Sequence, residues 1–183
     1  ASVFWDDGRK ASLLVGRSFR NQDNQVFDQE SGLRDQASDW IVAADAQITP
    51  GVSVFGRTRL DGDNLDIARA EAGANVFTKW GSGFVRYLQD NAAPVSGGKV
   101  ENFDVGGEVF LTRNWGLTLY GNRDLAAEAW VVRDIGVAYR DECARVDIIY
   151  RREERIGDIR LGTTESIAVR LTLATLAGPL YAD

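Results

Sequence analysis

The sequence contains no histidine, no methionine, one cysteine and three prolines. Without histidine, no Ser-His or Asp-His machinery can be assembled within the chain, which excludes proteases and phospholipases of those types. A zinc site would be restricted to carboxylates and one thiolate, a poor donor set. No glycine-rich phosphate loop precedes a helix. Long apolar runs are missing too. No window approaches the roughly 18 uninterrupted apolar residues of a spanning helix. The mean hydropathy of −0.23 is too polar for a bundle of such helices. Positive charge is not in excess: the net charge is −6 and the pI about 4.8, which argues against nucleic acid as a partner. No catalytic residue, cofactor or resident metal is therefore expected, and the chain reads as a non-enzyme. It begins at Ala1 without initiator or signal peptide, so a processed or partial product is expected. A single cysteine cannot form an internal disulfide. In an oxidising compartment its partner would lie on another chain or elsewhere in the precursor.

What the sequence has is alternation. Its 183 residues suffice for one domain, taken here as 1–183, and 44% hydrophobic content fits a folded chain. Helical periodicity is poor, while period two recurs. In Asp39–Thr49, Trp40, Val42, Ala44, Ala46 and Ile48 oppose Asp39, Asp45, Gln47 and Thr49. Lys10–Arg20 sets Ala11, Leu13, Val15 and Phe19 against Lys10, Ser12, Ser18 and Arg20. Val52–Leu60 puts Arg57 and Arg59 on one face, and Ala68–Thr78 sets an alanine row against Arg69, Glu71 and Asn75. Gly83–Gln89 is a weaker example. Later segments repeat the theme at Asn102–Thr112, Trp115–Asn122, Asp134–Arg140, Arg145–Arg151 and Ile167–Leu173. That makes about ten strands, with Ser2–Trp5 as the end of a further one.

The connections alternate in length. Short turns are expected at Asp6–Arg9, Pro50–Gly51, Lys79–Ser82, Arg113–Asn114 and Asp141–Ala144. Longer loops are expected at Asn21–Ala37, Asp61–Asp66, Asp90–Lys99, Arg123–Ala129 and Arg152–Glu165. This is the pattern of a transmembrane β-barrel with short periplasmic turns and longer outer loops. Trp40 and Trp130 fall near the long-loop rim, Trp80 and Trp115 near the short-turn rim, as an aromatic girdle requires. A soluble antiparallel barrel or sandwich also alternates. The mid-strand Arg, Asp, Glu and Asn on the second face exceed what a small packed core tolerates, and favour a wet lumen. The expected fold is all-β: an antiparallel meander forming part of an outer-membrane barrel.

The stretch Ile135–Ala177 reads IGVAYRDECARVDIIYRREERIGDIRLGTTESIAVRLTLATLA. It resembles the C-terminal end of the lipopolysaccharide-assembly protein family LptD. The matching positions are Tyr139, Asp141 and Cys143, then Tyr150 and Arg151, then Thr163, Thr164 and Ser166, then Leu171–Leu176. The upstream runs GRKASLLVGRSFR, SGLRDQASDW and RTRLDGDNLDIARAEAGANV are similar to alphaproteobacterial members. Departures are Ala174, where a basic residue is common, and the tail Gly178–Asp183, which lacks a terminal aromatic.

The resemblance implies a large barrel of ~26 strands that delivers lipopolysaccharide to the outer leaflet, with an LptE-like lipoprotein as partner. Other implied contacts are lipopolysaccharide itself, outer-membrane lipid and the rest of the LptD chain. Ile167, Val169, Leu171 and Leu173 would then lie on the last strand, one lip of a lateral seam. Cys143 would pair with a cysteine outside this segment, in the periplasmic domain; an unpaired turn cysteine is the competing reading. Arg57, Arg59, Arg69 and Arg86 are candidate luminal contacts for anionic sugars or phosphates, with pairing to Glu71 or Asp104 as the plainer role. Asp23, Asp28, Glu30 and Asp35, and Glu153, Glu154 and Asp158, could hold bridging divalent cations or simply be solvated. A different class stays open: a self-contained small barrel with a structural or lipid-binding role. Closure of Ile167–Leu176 onto Lys10–Arg20 would mark that case.

Overall fold

The computed structural model describes residues 1–21, 26–27, 31–91, 99–154 and 162–173. Eleven strands follow one another: β1 (Ser2–Phe4), β2 (Lys10–Gly16), β3 (Trp40–Thr49), β4 (Val52–Leu60), β5 (Ile67–Thr78), β6 (Gly81–Asp90), β7 (Val100–Phe110), β8 (Trp115–Asp124), β9 (Ala129–Arg140), β10 (Ala144–Glu154) and β11 (Thr163–Leu173). They form an antiparallel meander in which sequence order is strand order. Among the described residues the order does not close. β2 has β1 and β3 beside it, and β11 has only β10. Among the described residues no helix is long and apolar enough to cross a membrane, which says nothing about crossing by strands.

From β3 to β11 the strands run 9–12 residues, the length that crosses a bilayer at a tilt. The connections keep their alternation, with one weakening. The β8–β9 connection contracts to 125–128, no longer than the 111–114 turn before it. β2 also ends earlier than its pattern suggests. Past Gly16 the Phe19–Ala37 bridge alone continues the ladder among the described residues, and Arg17 turns its Nε to the Ser38 carbonyl, 3.0 Å away.

Contacts divide the chain into two units, Ala1–Val76 with Arg86–Phe103, and Phe77–Val85 with Asp104–Asp183. In the first, register aligns Val3, Ala11, Ala46, Val54 and Ala74 in one row, and Leu13, Ala44, Gly56 and Ala72 in the next. The opposite face carries Lys10, Gln47, Ser53 and Asn75, then Leu14, Ala43, Arg57 and Glu71. In the second unit, Trp115, Tyr139, Val146 and Leu171 form one row, Leu117, Val137, Ile148 and Val169 the next, and Leu119, Ile135, Tyr150 and Ile167 the third. Because side chains alternate across a strand, the remaining positions share the other face.

In the second unit burial of these faces is inverted relative to a soluble sheet. Ile167, Val169 and Leu171 are 74%, 69% and 62% exposed, whereas Asp147 on the opposite face is 3% exposed. Among the described residues the buried hydrophobic side chains are Phe110 and Ala138 alone. There the apolar face is the exposed one and the charged face carries the packing. A soluble protein would have to leave that apolar surface in water.

Candidate functional site

The site is the wall itself, with one face for lipid and one for the polar interior. On the outward face of the second unit, the apolar rows end at a charged one. Beyond Leu119, Ile135, Tyr150 and Ile167 come Arg133, Arg152 and Glu165, and Arg133 pairs with Glu154 at 2.5 Å. Aromatic side chains stand at both rims. A cation sits over the ring of four of the five tryptophans: Arg9 on Trp5, Arg17 on Trp40, Lys79 on Trp80 and Arg123 on Trp130. The fifth, Trp115, meets Tyr139 edge-on at 5.0 Å. An apolar band flanked by aromatics and charge is what a bilayer imposes on a barrel exterior.

The inner face of the second unit is a hydrogen-bonded wall. Arg145 donates through Nε and Nη2 to Asp147, and through Nη2 to Glu108 Oε2 at 2.7 Å. Glu108 lies on β7 and Arg145 on β10, three strand spacings apart, or about 14 Å in a flat sheet. The intervening Gly116 and Ala138 leave room for the two side chains to lie along the wall. A Cβ on Gly116 would come within 3.0 Å of the Phe110 ring, which packs there beneath Arg140 at 3.5 Å. Nearer the other rim, Tyr120 and Asn122 donate to Asp104, and Arg151 makes a two-pronged bond to Asp134.

The four candidate arginines share the inner face of the first unit. Arg59 stands opposite Arg69 in the ladder, an arrangement of like charges that is unfavourable if both side chains stay in line. They diverge. Arg59 reaches Asp39 at 3.5 Å and donates to the Ser31 carbonyl, while Arg69 donates to Asp90 Oδ2 at 3.1 Å. Arg57 stands opposite Glu71 and reaches the diagonal Asp45 at 3.8 Å. The Arg69–Asp90 contact puts even-numbered β6 residues on this face, Arg86 among them. Arg57 and Arg69 keep about half their side-chain surface exposed; Arg59 is largely buried.

Cys143 occupies the 141–143 turn as an exposed free thiol. Asp141 Oδ1 accepts the Cys143 and Ala144 amides, both at 2.8 Å. Those bonds hold the Asp141 carboxyl below its ordinary range. Arg113 and Glu142 flank the thiol with an exposed ion pair. The proposed seam residues Ile167, Val169, Leu171 and Leu173 lie on the outward face of β11. Of the acidic candidates, Glu154 is held by Arg133. Asp23, Asp28, Glu30 and Asp158 fall outside the described residues, as do Ala174, Leu176 and the tail. No group of acidic or sulfur ligands spaced for a metal occurs among the described residues.

Such a wall defines a class: strand-built membrane proteins with a polar interior. A family model for LptD, LPS transport system D, matches residues 1–115, and the chain belongs to that family. The family serves lipopolysaccharide transport and assembly and is an outer-membrane family of Gram-negative bacteria. No curated protein matches the chain. The match covers the upstream runs; the Tyr139-to-Cys143 stretch lies beyond it.

Alternation in the sequence exposed the strands and both faces. It missed the Glu108–Arg145–Asp147 network, whose members are far apart in sequence. It also missed Trp130 over Gly121, because a bulge between Asn122 and Arg123 shifts the register there.

Proposed function

We propose that this chain is a single domain, a stretch of the wall of an outer-membrane lipopolysaccharide translocon. It delivers lipopolysaccharide to the outer leaflet together with an LptE-like lipoprotein and the rest of the LptD chain. The inverted burial, with exposed apolar rows against a nearly buried Asp147, is the observation that supports this most. The long connections face outward and the short turns face the periplasm. Arg57 and Arg69, with exposed guanidinium groups, offer transient contacts to anionic sugars and phosphates; Arg59 and Arg86 line the same face. β11 forms one lip of a lateral seam, its outward side chains Ile167, Val169, Leu171 and Leu173 meeting lipid. Cys143, in a periplasmic turn, pairs with a cysteine outside this segment. The wall does no covalent chemistry.

The test uses the full-length protein in its native assembly. A photo-crosslinking residue at Arg57 is expected to capture lipopolysaccharide while transport runs, and one at outward-facing Ala44 to capture membrane lipid instead. Capture of lipopolysaccharide at neither position would overturn the reading. For Cys143, a mass shift on reduction is expected in electrophoresis, and no shift would remove the disulfide.

A further inference from the structure

The charged face of the first unit is hollow near the short-turn rim. A cavity of about 490 Å³ opens there, lined from the five consecutive strands β1 to β5. Its side chains stand in two rows of the ladder. One runs from Phe4 and Lys10 to Ser53 and Asn75, the other from Ser12 through Asp45 to Phe55. Phe4 is an aromatic ring on a polar face, and it is 75% exposed. Lys10, directly opposite it on β2, forms no ion pair with a described residue, and the Ser12 hydroxyl has no hydrogen-bond partner among them. The carboxylate of the lining, Asp45, is engaged by Arg57 at 3.8 Å. Arg57 also lies over the Phe55 ring, 5.4 Å from its centroid, which holds the second ring at its end of the cavity.

That lining has a definite chemical preference. The volume suits a small molecule or a short stretch of a larger one. The two phenyl rings offer flat apolar surface. Hydroxyls and amides both donate and accept, and the unpaired ammonium attracts an anion. A sugar ring has apolar C–H faces and a rim of hydroxyls, so it engages both kinds of lining at once. A fatty chain would strip water from Ser12, Ser53 and Asn75 and give nothing back. A bare phosphate would leave both rings unused. Three strand spacings separate Phe4 from Phe55, about 14 Å in a flat sheet, which is room for more than one sugar ring.

We propose that this cavity is a saccharide subsite for lipopolysaccharide in transit. A negatively charged sugar lies against Phe4 with its anionic group at Lys10, and a further ring of the same chain reaches toward Phe55. The assignment rests on the reading above, in which the charged face lines the interior and the family's cargo passes along it. It adds a station distinct from the exposed guanidinium groups of Arg57 and Arg69. This one holds sugar by stacking and by hydroxyl and amide contacts, with a single cation. Being nearer the short-turn rim, it is met first by sugars that enter from the periplasm.

The test again uses the full-length protein in cells. A photo-crosslinking residue replaces Gln47, which lines the cavity but turns its own amide to the Thr49 carbonyl, or Arg57 as before. Lipopolysaccharide adducts are expected at both positions. At position 47 they should fall about tenfold in K10Q, in keeping with loss of a hydrogen bond to a charged group, and also in F4A. K10R and F4W should keep most of the signal, and adducts at position 57 should persist in all four variants. Both side chains are exposed, so heat-modifiable gel mobility should show every variant folded. Adducts at position 57 with none at position 47, or adducts at 47 that ignore both K10Q and F4A, would overturn the subsite and leave the transport reading standing. A protein adduct in place of lipopolysaccharide at position 47 would overturn the ligand. Absence of lipopolysaccharide from both positions would remove the subsite together with the reading it rests on.

Discussion

Glu108 and Arg145 are joined by a 2.7 Å hydrogen-bonded ion pair although 37 residues and two whole strands separate them. Asp147 completes the triad from beneath, with only 4% of its side chain exposed. The arginine therefore balances two carboxylates, one of them buried. Removing it leaves the buried Asp147 carboxyl without its cation. The Arg145→Ala variant of the full-length protein should lose roughly 3–5 kcal/mol, the usual cost of breaking a buried pair. Glu108→Gln should lose less, because Asp147 keeps its partner. Urea unfolding in detergent or bilayers, followed by heat-modifiable gel mobility, measures both. Equal losses would mean that the triad is not organised around Asp147.

The two faces make opposite demands on a new charge. Val137 sits in the middle apolar row, between Leu117 and Ile148. Val137→Arg should destabilise the folded protein in a bilayer by about 2–4 kcal/mol, the cost of arginine at the midplane of a barrel exterior. Ser53→Lys, on the inner face beside Gln47 and Asn75, should change stability by less than about 0.5 kcal/mol, as surface substitutions usually do. A soluble sheet would reverse this order. The comparison therefore tests the lipid-facing assignment by a route independent of family membership.

How far alternation reaches is clear from particular strands. β4 was legible to the residue, since Val52–Leu60 alternates between two turns with Phe55 alone out of pattern. The bulge at Asn122 was not, because one inserted residue leaves composition unchanged while turning Trp130 to the other face. Parity alone groups Trp130 with Val132. The arginines show a second limit. That Arg57, Arg59 and Arg69 would find carboxylates was readable from their density on one face. Which ones was not: Arg59 and Arg69 oppose each other and turn away, to Asp39 and Asp90, where the sequence suggested Glu71 or Asp104. Pairing that depends on the avoidance of a like charge needs the register first.

The 141–143 turn has a defined acid sensitivity. Asp141 accepts two backbone amides, which lower its folded-state value below the ordinary 3.8. A depressed carboxyl stabilises the turn above that ordinary value, and the contribution is lost as pH falls through the lower folded-state value. Hydrogen exchange of the Cys143 and Ala144 amides, taken relative to Asp141→Ala, should show protection that is constant above about pH 5, more than a unit over the ordinary carboxyl value. The ratio should decline toward one as the pH drops well below 3.8. A ratio of one at neutral pH would remove the Asp141 cap.

The connection between β2 and β3 is anchored to the wall by the Arg59–Asp39 pair. Asp39 also accepts the Gly62 amide through Oδ1 at 3.1 Å, and its own amide donates to the Gly32 carbonyl at 3.0 Å. Arg59 reaches the same connection through the Ser31 carbonyl at 2.6 Å. Two connections are thus stitched together through one carboxylate, with Ser38 and Arg17 adding bonds along the edge. Arg59→Ala should leave Asp39 half-buried without its cation, at a cost of about 1–3 kcal/mol confined to this corner. The barrel should stay folded, while trypsin added outside intact cells cuts after Arg34 at least several times faster. Asp39→Asn should do less, because an amide oxygen can still accept from Gly62. If both variants resist trypsin as the unsubstituted protein does, the corner is held by something other than this pair.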